Sequence, residues 1–199
     1  MIKKRKKINI GIDIDGIFVD KPPLVPARVI NYLYRKTNNK SLEYKIPLNY
    51  FDKKIRIISH LKIFRPIIKN NLNWLKENSS NTNINIFIVS GRYSFLENRT
   101  KKLLKNNGIV LKNERIKLNT KDIQPHIFKD QIVKNLNIDY MIDDDIFMLK
   151  YLSTLNPNTT FVWYANSPYF KANLSYELNH FKNLIKIDDL KNLNRLIKQ

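Results

Sequence analysis

Asp13 and Asp15 stand at the end of an apolar run, in IGIDIDGIFVD, and Gly16 follows them at once. Residues two apart in an extended segment point to the same side, so the two carboxylates share one face while Ile14 turns to the other. Carboxylates so placed can hold a metal ion between them. Gly16 permits the sharp turn that leaves them in the crevice beyond the strand ends, where open parallel sheets bind ligands. Further along, the apolar IFIV runs into Ser90, Gly91 and Arg92 ahead of a helical pattern. A hydroxyl and backbone amides at a helix N-terminus make a seat for phosphate, and an ordinary helix cap uses the same residues. A third apolar run, IDYMI, delivers Asp143, Asp144 and Asp145 in succession. Like charges packed together repel unless a cation or a catalytic task holds them there. Lys129, in HIFKDQIVKNL, is one lysine among many and signals nothing alone.

The elements that must position these residues follow from hydrophobic spacing. Apolar runs bounded by polar breaks predict buried strands at 8–12, 84–89, 138–142 and 160–163, with a weaker one at 184–187. Helical spacing falls between them, at 67–76, 94–105, 127–136, 147–155 and 190–197. Alternating strand and helix predict an α/β domain with a mainly parallel sheet. The stretch from about 20 to 64 breaks this rhythm: a Pro-rich entry, a helical pattern through Val29, Leu33 and Tyr34, then a mixed basic section. It reads as a small helical insertion over the strand ends, dividing the chain into a core of 1–19 and 65–199 and a cap of 20–64.

The 199 residues suffice for one well-buried core plus a small module. A hydrophobic content of 43% is that of a globular protein, and no apolar run approaches the roughly 20 residues needed to cross a bilayer. The basic start is followed by an apolar stretch that Asp13 and Asp15 interrupt, which is not the pattern of a secretory signal. The reading is cytoplasmic. The absence of cysteine fits a reducing compartment and excludes thiolate metal sites, disulfides and cysteine nucleophiles. A net charge of +19 admits a nucleic-acid partner, while the abundance of Lys, Asn and Ile is also what an AT-rich genome encodes. Either origin gives a field that draws anionic substrates.

In order, these pieces resemble the haloacid dehalogenase-like phosphohydrolase superfamily, whose four motifs lie at the ends of successive strands of a Rossmann-like sheet. Asp13 and Asp15 match its first motif, Ser90 its second, Lys129 its third, and Asp143 with Asp144 its fourth. DIDGIFVD with a short insertion behind it looks most like the small nucleotidase-like branch, which includes 5′-deoxyribonucleotidases. The resemblance implies Asp13 as the nucleophile forming an aspartyl-phosphate, and Asp15 as general acid and then base, with a pKa nearer neutrality than a free carboxylate's. It implies Mg²⁺ on Asp13, Asp144 and the main-chain oxygen of Asp15, with Asp143 ligating or supporting. Ser90, Gly91 and Arg92 would border the phosphate, and Lys129 would neutralise charge on Asp13 and the transferring group. The expected substrate is a small phosphorylated metabolite such as a nucleoside monophosphate. Phosphate at nucleic-acid ends and a catalytically silent binding module are the alternatives.

Asp145 extends the usual acidic pair and can instead cap the following helix. His60, His126 and His180 show no metal-ligand spacing. Tyr50, Arg56 and His60, in the insertion, are candidates for reading the leaving group. A response-regulator receiver also combines acids, a hydroxyl and a lysine, but its lysine comes last, whereas Lys129 precedes Asp143.

Overall fold

The computed structural model describes residues 7–20, 34–35, 42–165, 178 and 180–197. Six parallel strands form one sheet: β1 (Ile8–Ile12), β2 (Ile84–Tyr93), β3 (Ile116–Asn119), β4 (Tyr140–Asp143), β5 (Thr160–Tyr164) and β6 (Leu184–Ile187). Their spatial order is β3-β2-β1-β4-β5-β6. The order reverses at β1, with the chain winding outward both ways, and the crevice beyond the ends of β1 and β4 is where such sheets bind ligands. This is the α/β, Rossmann-like architecture that the sequence predicts.

The helices that lie wholly within the described residues are α1 (Tyr50–Ser59), α2 (Lys69–Ser79), α3 (Glu97–Asn106), α4 (Pro125–Asn135), α5 (Ile146–Leu155) and α6 (Leu193–Ile197). They cover the sheet in two layers. Ile10, Ile12, Ile86 and Ile88 pack with Leu72 and Leu75 of α2, Leu104 of α3 and Leu193 of α6. Val89, Met141, Phe161 and Trp163 face the other way, onto Phe128 and Val133 of α4 and Leu149 and Leu152 of α5. The alternation along each strand thus feeds both layers, and each fully buried aliphatic side chain contributes about 2 kcal/mol. None of the described helices is long and apolar enough to cross a membrane.

Three elements differ from the sequence-based expectation. β3 is an additional strand, half-buried at the sheet edge and too short and polar to stand out as an apolar run. The pattern at 94–105 begins with a 3-10 turn, Ser94–Leu96, before α3. β2 does not stop at Val89 but continues through Ser90, Gly91 and Arg92 to Tyr93, with a register shift against β3 between Ser90 and Tyr93. Ser90 is therefore inside a strand and caps no helix. A break in register of this kind re-aims side chains beside a site. Gly91 is needed there because a Cβ on it would lie 2.8 Å from Cβ of Pro125, the first residue of α4.

After β1 the chain makes a tight loop on buried apolar anchors. The carbonyl of Ile14 accepts from the amides of Ile17, Phe18 and Val19, and all four side chains are buried. The chain then leaves the core at Val19 and returns at Ile67, where the two arms pair as an antiparallel bridge. The amide of Asp20 donates to Pro66 O at 2.8 Å, and that of Ile68 to Phe18 O at 3.0 Å. Both arms are thereby fixed beside the loop that carries Asp15. The helical pattern through Val29 and Leu33 lies outside the described residues.

Candidate active site

Asp13 sits one residue beyond β1, its amide held by Ile142 O of β4 at 3.0 Å. Asp143 ends β4 and Asp144 follows it. One carboxylate oxygen from each of Asp13, Asp143 and Asp144 lies within 4.8 Å of the other two. Lys129 reaches into this group from the first turns of α4, with Nζ 2.5 Å from Asp143 Oδ2 and 3.4 Å from Asp13 Oδ1. It is 3% exposed, so its ammonium is neutralised by these partners rather than by water. The other oxygen of Asp143, Oδ1, accepts from the amide of Asp145 at 3.0 Å. Widely separated parts of the sequence thus converge on one oxygen-lined spot.

Its electrostatics ask for another cation. Burial pushes the Asp13 carboxyl well above the usual carboxylate range; Lys129 opposes this, while Asp143, Asp15 and Asp144 reinforce it. Asp143 is raised by the same burial, against the pull of Lys129. Lys129 is held firmly protonated because Asp13 and Asp143 outweigh the cost of burying it. Three crowded carboxylates against one ammonium leave a negative excess, and hard oxygen donors suit Mg²⁺. The donor set therefore fits that ion.

Gly16 makes this crowding possible. Its φ is +76°, and a Cβ on it would lie 2.2 Å from both Cγ and Oδ2 of Asp144. We expect Gly16→Ala to displace the Asp144 carboxylate and weaken Mg²⁺ binding at least about 10-fold, the range seen when support for a metal ligand is lost. Calorimetric Mg²⁺ titration checks this, and unchanged affinity would refute the packing argument.

Asp15 faces a different set of groups. Arg92 grips it with two bonds, Nε to Oδ2 and Nη2 to Oδ1, both at 2.8 Å. Arg65 adds a third, Nη1 to Oδ1 at 2.6 Å. Burial of Asp15 acts to raise its pKa, but Arg92 and Arg65 outweigh it and hold the carboxyl well below the usual range. The expectation of a pKa near neutrality thus meets the opposite in this arrangement. The remaining Nη1 of Arg92 donates to Thr100 at 3.1 Å, so Arg92 faces Asp15 rather than an open phosphate seat. Ser90 is fully buried beside it, its Oγ 3.4 Å from the Arg92 amide.

Asp145 caps α5, accepting from the amides of Phe147 and Met148. Its Oδ2 also receives Arg35 Nη2 at 2.7 Å and Tyr44 OH at 2.9 Å, so the insertion is tied to the strand end that carries Asp143 and Asp144. Arg65, Arg35 and Tyr44 had no signal in the sequence, because each acts on a carboxylate remote along the chain. Among the insertion candidates, Tyr50 is exposed at the surface, whereas Arg56 and His60 are buried and His60 lies close enough to Asp15 to feel its charge.

His60 donates from Nδ1 to Arg56 O at 2.7 Å, and burial pushes its pKa down to about 3, with Arg65 adding to the fall and Asp15 opposing it. Unfolding restores the ordinary value of 6.5. As pH drops below that value the unfolded chain takes up a proton that the fold refuses, so stability falls with decreasing pH. The contribution lost between pH 7 and 5 is about 2 kcal/mol. Denaturant titrations should show His60→Asn less sensitive than the natural chain by about that amount; equal pH dependence would contradict it.

No protein-family model and no curated protein matches the chain. Among solved structures, a haloacid dehalogenase-like family hydrolase from Streptococcus pneumoniae superposes with a TM-score of 0.52 at 11% identity, covering 96% of this chain and 98% of that one. The β3-β2-β1-β4-β5-β6 sheet with helices on both faces is accordingly the haloacid dehalogenase-like fold.

Proposed function

We propose that the protein is a Mg²⁺-dependent phosphomonoester hydrolase acting through an aspartyl-phosphate on Asp13. The observation that carries this reading is the meeting of Asp13, Asp143 and Asp144 with Lys129 at the switch point of the sheet. Mg²⁺ would be held by Asp13 and Asp144 with the main-chain oxygen of Asp15, and would offset the charge repulsion between an anionic nucleophile and an anionic phosphate. Asp143 already accepts from Lys129 and the Asp145 amide, which favours a supporting role for it.

In the first half-reaction an oxygen of Asp13 bonds to phosphorus as the P–O ester bond breaks, and the alcohol leaves with a proton from Asp15. In the second, water loses a proton to Asp15 and attacks phosphorus, releasing inorganic phosphate and free Asp13. Lys129 offsets charge on Asp13 and on the phosphoryl oxygens, and Ser90 and Gly91 border the phosphate. The paired state keeps Asp15 ionised and so able to take a proton in the second half-reaction, while the two arginines weaken it as a base. Its service as an acid requires the contacts of both Arg92 and Arg65 to loosen, and Arg65 is the first core residue after the insertion that we take as a cap over the site.

The substrate class we assign is a small phosphorylated metabolite, with a nucleoside monophosphate the form that the sequence resemblance suggests. The +19 charge favours one other substrate, the terminal phosphate of a nucleic acid. A screen with Mg²⁺ over nucleoside monophosphates, sugar phosphates and oligonucleotide ends tests both. Hydrolysis of small monoesters that stops on chelation is expected. Activity confined to oligonucleotide ends, with affinity falling steeply with salt, would favour the second substrate. No hydrolysis, or hydrolysis indifferent to chelation, would overturn the proposal.

A further inference from the structure

Arg56, on the inner side of α1, is 8% exposed, yet no carboxylate touches it among the described residues. Its one hydrogen bond runs from Nη2 to Lys45 O. Its guanidinium carbon otherwise lies over two rings, 4.4 Å from the centroid of Tyr34 and 5.7 Å from that of Tyr93. Burial lowers its pKa, and the charge interactions with Tyr34, Tyr93, Asp52 and Tyr44 do not offset the fall. Arg35 and Arg92, which have Asp145 and Asp15 against them, are raised instead. The undescribed parts of the insertion, 21–33 and 36–41, contain no Asp or Glu in the sequence.

One more buried polar group there lacks a protein partner: the hydroxyl of Tyr93, a residue 3% exposed. His60, 8% exposed, bonds through Nδ1, which carries the proton to Arg56 O and leaves Nε2 to accept. The cluster adjoins the reacting end of the site through Tyr34. The Tyr34 hydroxyl accepts from Arg65 Nη2 at 3.3 Å, and Arg65 holds Asp15. Buried charges are ordinarily paired, because an uncompensated ion in a low dielectric is costly. The Arg56 guanidinium has no carboxylate against it among the described residues and lies beside Tyr93, whose hydroxyl has no partner, and His60 bonds the same helix turn.

We infer that Arg56, with Tyr93 and His60, forms a subsite for a second anionic group, a carboxylate or phosphate carried on the alcohol portion of the substrate. The inference rests on the hydrolase reading above and narrows its substrate class from phosphomonoesters at large to those with a doubly anionic skeleton. The planar fork of Arg56 supplies paired donors to such a group, the Tyr93 hydroxyl a third donor, and His60 Nε2 accepts from a neighbouring hydroxyl.

Calorimetric binding to the Asp13→Asn protein with Mg²⁺ tests this without depending on turnover. The probes are matched pairs, 2-phosphoglycolate against ethyl phosphate and 3-phosphoglycerate against glycerol 3-phosphate, with adenosine 5′-monophosphate as a competitor. The acid of at least one pair should bind about 10- to 100-fold more tightly than the partner without a carboxylate, the range of a buried charge-assisted hydrogen bond. Arg56→Met should bring that ratio to about one, and Arg56→Lys should keep part of it. Equal binding within both pairs, tighter binding of the nucleotide than of every acid, or an Arg56→Met protein that retains the ratio would each overturn the subsite. A natural enzyme that hydrolyses no monoester would instead defeat the hydrolase reading, and the paired affinities would still decide the subsite.

Discussion

Asp13→Asn is expected to reduce turnover by about 10⁴-fold or more, the scale on which loss of a nucleophile acts in enzymes of covalent mechanism. The substitution keeps the shape of the side chain and its place beyond β1, but an amide cannot bond to phosphorus as a carboxylate does. Its effect on stability should have the opposite sign. Asp13 is buried against Asp143 and Asp144, and burial already works against its charge. An uncharged residue there relieves that repulsion while Lys129 keeps Asp143, so the melting temperature without Mg²⁺ should rise. A phosphatase assay beside a thermal melt checks both. Loss of activity with a large fall in melting temperature would mean that the variant reports on folding rather than on chemistry.

Lys129→Met should have the second largest effect and should strike both properties at once. Nζ of Lys129 is the buried cation in contact with Asp13 and Asp143, and its removal leaves those carboxylates crowded without an ammonium. Breaking a buried pair from one side costs about 3–5 kcal/mol. For a chain of this size that corresponds to a fall in melting temperature on the order of 10 °C. Added Mg²⁺ should recover part of the fall, because the ion supplies charge to the same oxygens. Turnover should drop by about 10³-fold even with saturating Mg²⁺, the scale of a cation that stabilises a transferring phosphoryl group. Scanning calorimetry with and without Mg²⁺, joined to steady-state kinetics, separates these effects. A variant as stable as the natural chain would show that the ammonium is not needed to hold the acids together.

Much of the frame is legible because it rests on local signals. The apolar run at Ile8–Ile12 predicts a strand and the weaker one at Leu184–Ile187 does so less sharply, and the structure has strands over both. β3 escapes this logic: Ile116–Asn119 alternates with Lys117 on a half-buried edge, where no continuous apolar run is required. Ser90-Gly91-Arg92 reads as the lead-in to a helix because Ser favours the cap position and a helical pattern follows, yet pairing with β3 and packing of Gly91 on Pro125 extend β2 through it. Tertiary contact overrides local preference there.

The acidic centre was readable for the same reason that the strands were, since Asp13 and Asp143 stand where apolar runs end. The arginine pairs were not. Arg65 and Arg92 meet Asp15 from 50 and 77 positions away; nothing local marks Arg65, and the signal at Arg92 pointed to phosphate rather than to Asp15. Their consequence, an Asp15 held ionised, emerges only from the three-dimensional contact.

The most direct test of the phosphoryl-transfer chemistry is a trap. The protein is mixed with Mg²⁺ and a monoester that it hydrolyses, quenched in acid within the first turnovers, digested, and read by tandem mass spectrometry. One phosphoryl group on the peptide IGIDIDGIFVD, assigned to Asp13 and missing from Asp13→Asn, is the predicted result. A phosphoryl group on another residue, or phosphate release without any labelled peptide under conditions that preserve acyl phosphates, would contradict it.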